Sequence, residues 1–201
     1  MKTGIPFVQF DRVISNIGCS VINDNFQGAY SAVKHLIEKG YQKVAHLHGP
    51  LTLKIYQDRK IGFQKALSEC EKEASSKWIC YAKNADDAQA KAAAMLSGSN
   101  PPDAFFCSGD NLAVGALKAA RNLSLSIPDH VGIVGFSNEP FTEFVTPKIS
   151  SVDQYSAELG FQSAQMLLEL IERESIKSNL PVIKKKLVPE LIVRESSSKT
   201  P

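Results

Sequence analysis

The sequence predicts an α/β fold of the doubly wound type, a parallel sheet covered by helices on both faces. Three observations carry that prediction. Short apolar runs alternate with helix-period stretches at the spacing of βαβ units. Chain connections of that length join neighbouring parallel strands and place the helices on the sheet faces. Helix stop and start signals fall where the alternation needs them, such as Gly40 after one apolar stripe and Asp110 before another.

Each element follows from its local pattern. Residues 5–10 form a short apolar strand that ends at Asp11-Arg12. Asn23, Asp24 or Asn25 caps a helix whose apolar stripe is Ala29, Ala32, Val33, Leu36 and Ile37. Residues 43–47 are the next strand, turned by Gly49-Pro50, and a helix follows with Arg59, Phe63, Ala66, Leu67 and Cys70. Residues 78–81 read as a strand, and Asp86-Asp87 opens an alanine-rich helix that reaches Leu96. The stretch Ser97-Gly98-Ser99-Asn100-Pro101-Pro102 is a loop by composition. Residues 104–107 form a strand, Asp110 caps a helix through Arg121, and residues 131–135 form a strand again. Residues 149–152 read as a crossing strand, and Ser156 starts a helix carrying Leu159, Ala164, Leu167, Leu168 and Ile171.

Bulk composition narrows the function classes. The chain has 201 residues, 43% apolar and 22% charged, with a formal net charge of +2. That balance suits a soluble globular protein and argues for neither nucleic acid nor membrane by electrostatics. No apolar run approaches the roughly 18 residues of a membrane span, and the first residues lack a signal-peptide core. Cys19, Cys70, Cys80 and Cys107 include no C-x-x-C pair, so buried thiols in a reducing cytoplasm are expected.

The end of the chain is the most specific stretch. Leu187-Val188-Pro189-Glu190-Leu191-Ile192-Val193-Arg194-Glu195-Ser196 reads as two short strands broken by a proline, which marks an edge or a crossing point. Its wording resembles the last strand of the lactose/galactose repressor (LacI/GalR) family of bacterial transcription regulators. Further segments resemble the effector-binding part of that family in the same order. They include Asp11-Arg12, Asp24-Asn25 with Gly28-Ala29, Arg59 with Gly62-Phe63, and residues 102–107. Asp110 with Ala113, Ile127-Pro128, Val131-Gly132-Ile133-Val134-Gly135-Phe136 and Gln154 complete the set. The resemblance covers nearly the whole chain. It implies a periplasmic-binding-protein-like (type I) fold of two α/β lobes, with the effector in the cleft and three crossover strands.

On that resemblance the chain starts at the last strand of the first lobe. Residues 1–20 and 153–180 are then a remnant of the N-terminal lobe, and residues 21–152 and 181–201 form the C-terminal lobe. One lobe is nearly complete. The family's helix-turn-helix headpiece has no counterpart here, so a fragment or a misassigned start is expected, unable by itself to read operator DNA. The helix from Ser156 would then lack partners for its apolar stripe, so the isolated chain is expected to be poorly soluble, self-associated or partly disordered there.

Ligands of doubly wound sheets bind outside the carboxyl ends of the strands, here Asp11-Arg12, His48-Gly49-Pro50, Gly109-Asp110 and Phe136-Ser137-Asn138. Arg59 is the strongest candidate, because its planar fork suits vicinal hydroxyls or a carboxylate, and the family's arginine at this place holds effector oxygens. The competing reading is an exposed helix arginine paired with Asp58 or Glu69. Asp11 is either a cleft residue or a turn carboxylate paired with Arg12. Asp110 matches a family aspartate, but an aspartate there also caps the helix, and Gly109 replaces the usual asparagine. Ser137-Asn138 stands where the family often has an aspartate. Those two replacements leave the charge of Arg59 less balanced, which favours an anionic, sugar-like effector over a neutral hexose. Tyr56 and Tyr155 offer stacking surface to a sugar ring.

The rest is weaker. His46 and His48 share a strand face without a third ligand, so neither a metal nor a cofactor is expected. The phosphate-loop and hydrolase motifs that would mark an enzyme are missing, and Cys107 has no activating base. Lys184-Lys185-Lys186 suits an edge strand more than nucleic acid. The expected protein is the effector-sensing, dimerising part of a cytoplasmic LacI/GalR-type regulator. The rivals are a periplasmic sugar-binding protein of the same fold and a doubly wound enzyme.

Overall fold

The structure, a computed structural model, describes residues 5–14, 18–72, 75–175 and 182–199. Parts of the expected division, residues 1–4, 15–17, 73–74, 176–181 and 200–201, lie outside the described residues.

Two sheets form. The larger has six strands: β3 (Val44–His48), β4 (Ile79–Tyr81), β5 (Ala104–Cys107), β6 (Gly132–Phe136), β7 (Ser150–Asp153) and β9 (Glu190–Ile192), in the order β4-β3-β5-β6-β7-β9. Neighbours from β4 to β7 are parallel, while β9 runs antiparallel to β7, with Val152 opposite Leu191. The sheet is therefore mixed at one edge. The smaller sheet is all parallel, β1 (Val8–Phe10), β2 (Cys19–Asn23) and β8 (Lys184–Leu187), in the order β1-β2-β8.

Helices cover both faces of the large sheet, as its fully buried central strands β3, β5 and β6 require. On one face α1 (Asn25–Glu38) packs with α2 (Lys54–Glu69), and on the other α3 (Ala85–Leu96) packs with α4 (Asp110–Asn122). Both helix pairs are drawn close by a glycine. A Cβ on Gly62 would lie 2.3 Å from the Phe26 carbonyl oxygen, and one on Gly115 would lie 2.3 Å from that of Ala85. Phe63, Phe106 and Phe136 fill the first layer, and Phe105, Leu117 and Ile133 the second.

The helix ends follow the sequence signals in most places. Asp24 caps α1 by accepting from the Gln27 amide at 3.1 Å, and Gly40 follows with φ +90°. Asn84, not Asp86-Asp87, caps α3, accepting from the Asp87 amide at 2.9 Å while Asp87 accepts from the Lys83 amide. The expected cap of α4 is corrected. Gly109 occupies the cap position, and the Asp110 side chain turns toward β6 and β7 instead.

β2 has no counterpart among the sequence-based strands, because Cys-Ser-Val-Ile-Asn is short and mixed in polarity. It forms because it sits between β1 and β8 with Val21 under helix α5 (Ser156–Ser175). Sheet membership thus puts residues 19–23 and 184–187 with the smaller unit, whereas the expected division grouped residues 21–152 and 181–201 with the larger. The chain passes between units at Asp24, at residues 154–155 and at Val188-Pro189. Pro189 therefore marks a crossing point.

The smaller unit has a single described helix on its sheet. Phe161, Leu168 and Ile171 of α5 are exposed, as are Phe7, Phe10 and Ile14 around β1. A parallel sheet with apolar side chains in water is a site of association. Sedimentation velocity on the 201-residue chain should show dimers or larger species. A monodisperse monomer with α5 strongly protected from hydrogen exchange would contradict this.

Candidate functional site

The strand order changes direction at β3, which has β4 on one side and β5 on the other although both follow it in sequence. Crevices open at such switch points. A cavity of about 480 Å³ lies there, walled by the strand ends of the large sheet and by Asp11 and Arg12 from the smaller unit.

Arg59 is the centre of its wall. Its helix α2 starts directly after the β3 turn, so the second turn of that helix lies over the strand ends. The residue is 3% exposed, and its guanidinium carbon sits 3.6 Å above the centre of the Phe136 ring. Nε donates to Asn25 Oδ1 at 2.8 Å, Nη1 to the Ser108 carbonyl at 2.8 Å, and Nη2 to Gln154 Oε1 at 3.4 Å. All three acceptors are neutral. Among the described residues no carboxylate reaches ion-pair distance of Arg59. Of the five N–H donors of a guanidinium, two keep no partner there. Burial pulls its pKa down to about 10, so the group remains a cation at neutral pH. The alternative pairing is excluded, since Asp58 pairs with Lys54 and Glu69 with Lys65 and Tyr30.

Tyr56 joins Arg59 at the cavity, with the guanidinium 5.6 Å from its ring centre. Its ring lies so close over the turn that a Cβ on Gly49 would sit 2.4 Å from it. Asp11 also reaches the cavity, in a left-handed conformation (φ +56°), and pairs with Arg12 at 3.7 Å. Asp11 thus lines the cavity and also lies against Arg12. Ser137 lines the cavity too, with φ +120° and its amide bonded to the Val152 carbonyl at 2.8 Å. Sparsely populated backbone conformations gather at ligand sites when the surroundings over-determine them.

Asp110 borders the cavity, but its carboxylate is spent inside the protein. Oδ1 accepts from Ser151 Oγ at 2.6 Å and Oδ2 from the Glu139 amide at 2.8 Å. Burial raises its pKa, and those donors pull against the rise. Gly135 has no room for a side chain because Asp110 Oδ1 would be 2.1 Å from its Cβ. Asn138 and Tyr155 are not brought to the cavity wall. Asn138 bonds to Asp153 and Arg194, and the Tyr155 hydroxyl donates to Glu190 at 2.5 Å on the surface.

Sequence reasoning missed Asn25, Ser108 and Gln154 as orienters of Arg59, and Lys83, Asn84 and Glu139 as wall residues. Ser108 and Glu139 flank strand ends already singled out. The end of β4 was not, so Lys83 and Asn84 had no signal.

The histidine pair is structural. His46 is sandwiched between Phe63 and Phe106, with ring centres 4.8 and 5.0 Å away. Its Nδ1 faces the Phe106 carbonyl at 3.1 Å; a carbonyl only accepts, so Nδ1 carries the proton. Among the described residues Nε2 is left as a buried lone pair without a partner. Among the described residues no group of His, Cys, Asp and Glu is arranged to hold a metal. Cys107 is fully buried and its thiol pKa is pushed up, the opposite of an activated nucleophile.

A crevice at a switch point, walled by two units, is the place where α/β folds of this kind hold small molecules. A model of the periplasmic binding protein-like domain matches residues 33–197. The ribose operon repressor of Halalkalibacterium halodurans is 33% identical over 196 residues, 98% of this chain and 57% of the repressor. The transcriptional repressor PurR of Mannheimia succiniciproducens is 32% identical over 197 residues, 97% of this chain and 58% of PurR. Among solved structures, the regulator CelR in complex with cellobiose superposes with a TM-score of 0.87 at 26% identity, over 96% of this chain and 59% of CelR. A LacI-family regulatory protein from Chloroflexus aggregans gives a TM-score of 0.87 at 28% identity, over 95% of this chain and 68% of that one. The chain belongs to the LacI/GalR family of transcriptional regulators and carries its periplasmic binding protein-like domain. It spans 57% and 58% of the length of these two repressors. Among the described residues no helix is long and apolar enough to cross a membrane.

The His46 environment sets a pH dependence. Burial holds its pKa down at about 3, against about 6.5 for a free imidazole, and burial lowers His48 as well. The unfolded chain therefore takes up protons that the native state refuses, and stability falls as the pH drops below about 6.5. Urea denaturation should find a loss of about 2 kcal/mol from His46 alone between pH 7 and pH 5. His46→Phe should reduce the slope by about one proton; an unchanged slope would contradict the assignment.

Proposed function

We propose that this chain is the effector-sensing and dimerising part of a LacI/GalR-type DNA-binding transcriptional regulator. A sugar-like, anionic molecule occupies the cavity between the two units and binds one arrangement of those units better than another. That difference in affinity alters how the intact homodimer presents its DNA-binding headpieces to operator DNA. The headpiece belongs to the intact regulator, whose location is the cytoplasm. The smaller unit is part of the first lobe, and the larger unit is the second.

One observation carries the choice of effector. Arg59 is a buried cation with neutral partners, two unspent donors and a place on the cavity wall. An anionic oxygen group supplies what the protein itself withholds from that charge, and charge-assisted bonds are the strong ones. Tyr56, Asn84 and Ser137 provide a ring surface and hydroxyl or amide groups for the neutral part of the ligand. The curated relatives are repressors, which favours a regulator over a transport protein or an enzyme.

Calorimetric titration with glucose 6-phosphate, galacturonate and glucose tests this reading. The two anions should bind more tightly than the neutral sugar. Arg59→Met should weaken anion binding by about tenfold to a hundredfold, as expected for a lost charged hydrogen bond. A preference for glucose, or anion binding untouched by Arg59→Met, would overturn it.

A further inference from the structure

Arg194 does not line the cavity, yet its side chain ties the closing segment to the cavity's edge. The side chain is 9% exposed. Nη1 donates to the Ile149 carbonyl at 2.9 Å, and Nη2 donates to Asn138 Oδ1 and to Glu143 Oε1, both at 2.8 Å. Asn138 is the second of two consecutive residues at positive φ, after Ser137 at +120° and itself at +53°. Such a turn persists only where its surroundings impose it. Asn138 is held at every polar group of its side chain and at its amide. Nδ2 donates to Asp153 Oδ2 at 2.9 Å, and the amide donates to Ser151 Oγ at 3.0 Å. The orientation of the side-chain amide follows from its neighbours, since an arginine only donates and a carboxylate only accepts.

Asp153 continues the chain of contacts. Its Oδ1 accepts from the Tyr155 amide at 2.7 Å and bends the backbone there into φ +51°. Between them lies Gln154, which lines the cavity and accepts from Arg59. This same stretch is the passage from β7 to α5, where the chain crosses to the smaller unit.

We propose that Arg194 is a positioning residue for the cavity. Through Asn138 it fixes the turn that presents Ser137 and Glu139 to the cavity, and through Asn138 and Asp153 it fixes the crossing segment that presents Gln154 to Arg59. Only a planar cation with several donors can hold Ile149, Asn138 and Glu143 together. The importance of that position rests on the cavity being the effector site, but the contact chain is testable with no ligand at all.

The test is amide hydrogen exchange, read by NMR on the full 201-residue chain, for wild type, Arg194→Met, Asn138→Ala and the double variant. The amides of Ser137, Asn138, Glu139 and Tyr155 report on the proposed chain of contacts. In Arg194→Met they should exchange about tenfold faster or more, while amides in β5 and α4 keep wild-type rates. Asn138→Ala should give the same local pattern, and the double variant should add little beyond either, because both remove one link. Acceleration across the whole sheet, acceleration confined to residues 194–198, or additive effects would overturn the proposal. If Arg194→Met does not fold, Asn138→Ala decides alone: wild-type exchange at Ser137, Glu139 and Tyr155 overturns it. Failure of the sugar anions to bind would leave these rates untouched, so the two readings fail separately.

Discussion

A guanidinium has been carried into the protein and surrounded by neutral oxygens. Removing Arg59 from water costs several kcal/mol, and carbonyl and amide oxygens offset only part of that. The face of Phe136 offsets more, at 3.6 Å. The remaining deficit is what a ligand can use, because an anion brought to the two unspent donors finds a cation already desolvated and already oriented. Much of the surrounding construction serves this placement. Gly62 lets α2 approach α1, Gly49 lets Tyr56 lie flat over the turn, and Asn25 at the start of α1 holds Nε from below.

The cavity lies between the two units. Its wall combines strand ends of the large sheet with Asp11 and Arg12 of the smaller unit, close to a crossing at residues 154–155. A ligand that touches both units interacts differently with different relative positions of those units. That is the requirement for a conformational response. Asp110 contributes indirectly, by clamping Ser151 and the Glu139 amide so that the β6 and β7 ends form one piece.

Much of this was legible in the sequence, for physical reasons. Parallel strands and covering helices follow from alternating apolar runs, and Arg59 stood out because a second-turn arginine after Gly49-Pro50 must lie near strand ends. Pro189 was readable as a crossing because it cannot join a ladder. What remained hidden depended on tertiary partners. β2 is made by its neighbours and not by its own pattern. Asp110 at a helix start satisfies the rule for a cap, but the buried Ser151 hydroxyl and Glu139 amide outcompete the helix for its carboxylate. Asn138 and Tyr155 carry ordinary binding chemistry that the structure commits to Arg194, Asp153 and Glu190.

On the function proposed above, Arg59 keeps two donors for an anion in the cavity. The most direct measurement follows the side-chain NMR signals of arginine-labelled protein during titration with glucose 6-phosphate. The Arg59 Nη signals should move strongly, while its Nε–H, already bonded to Asn25, stays near its starting position. Arg59 signals that remain fixed while the ligand binds would contradict it.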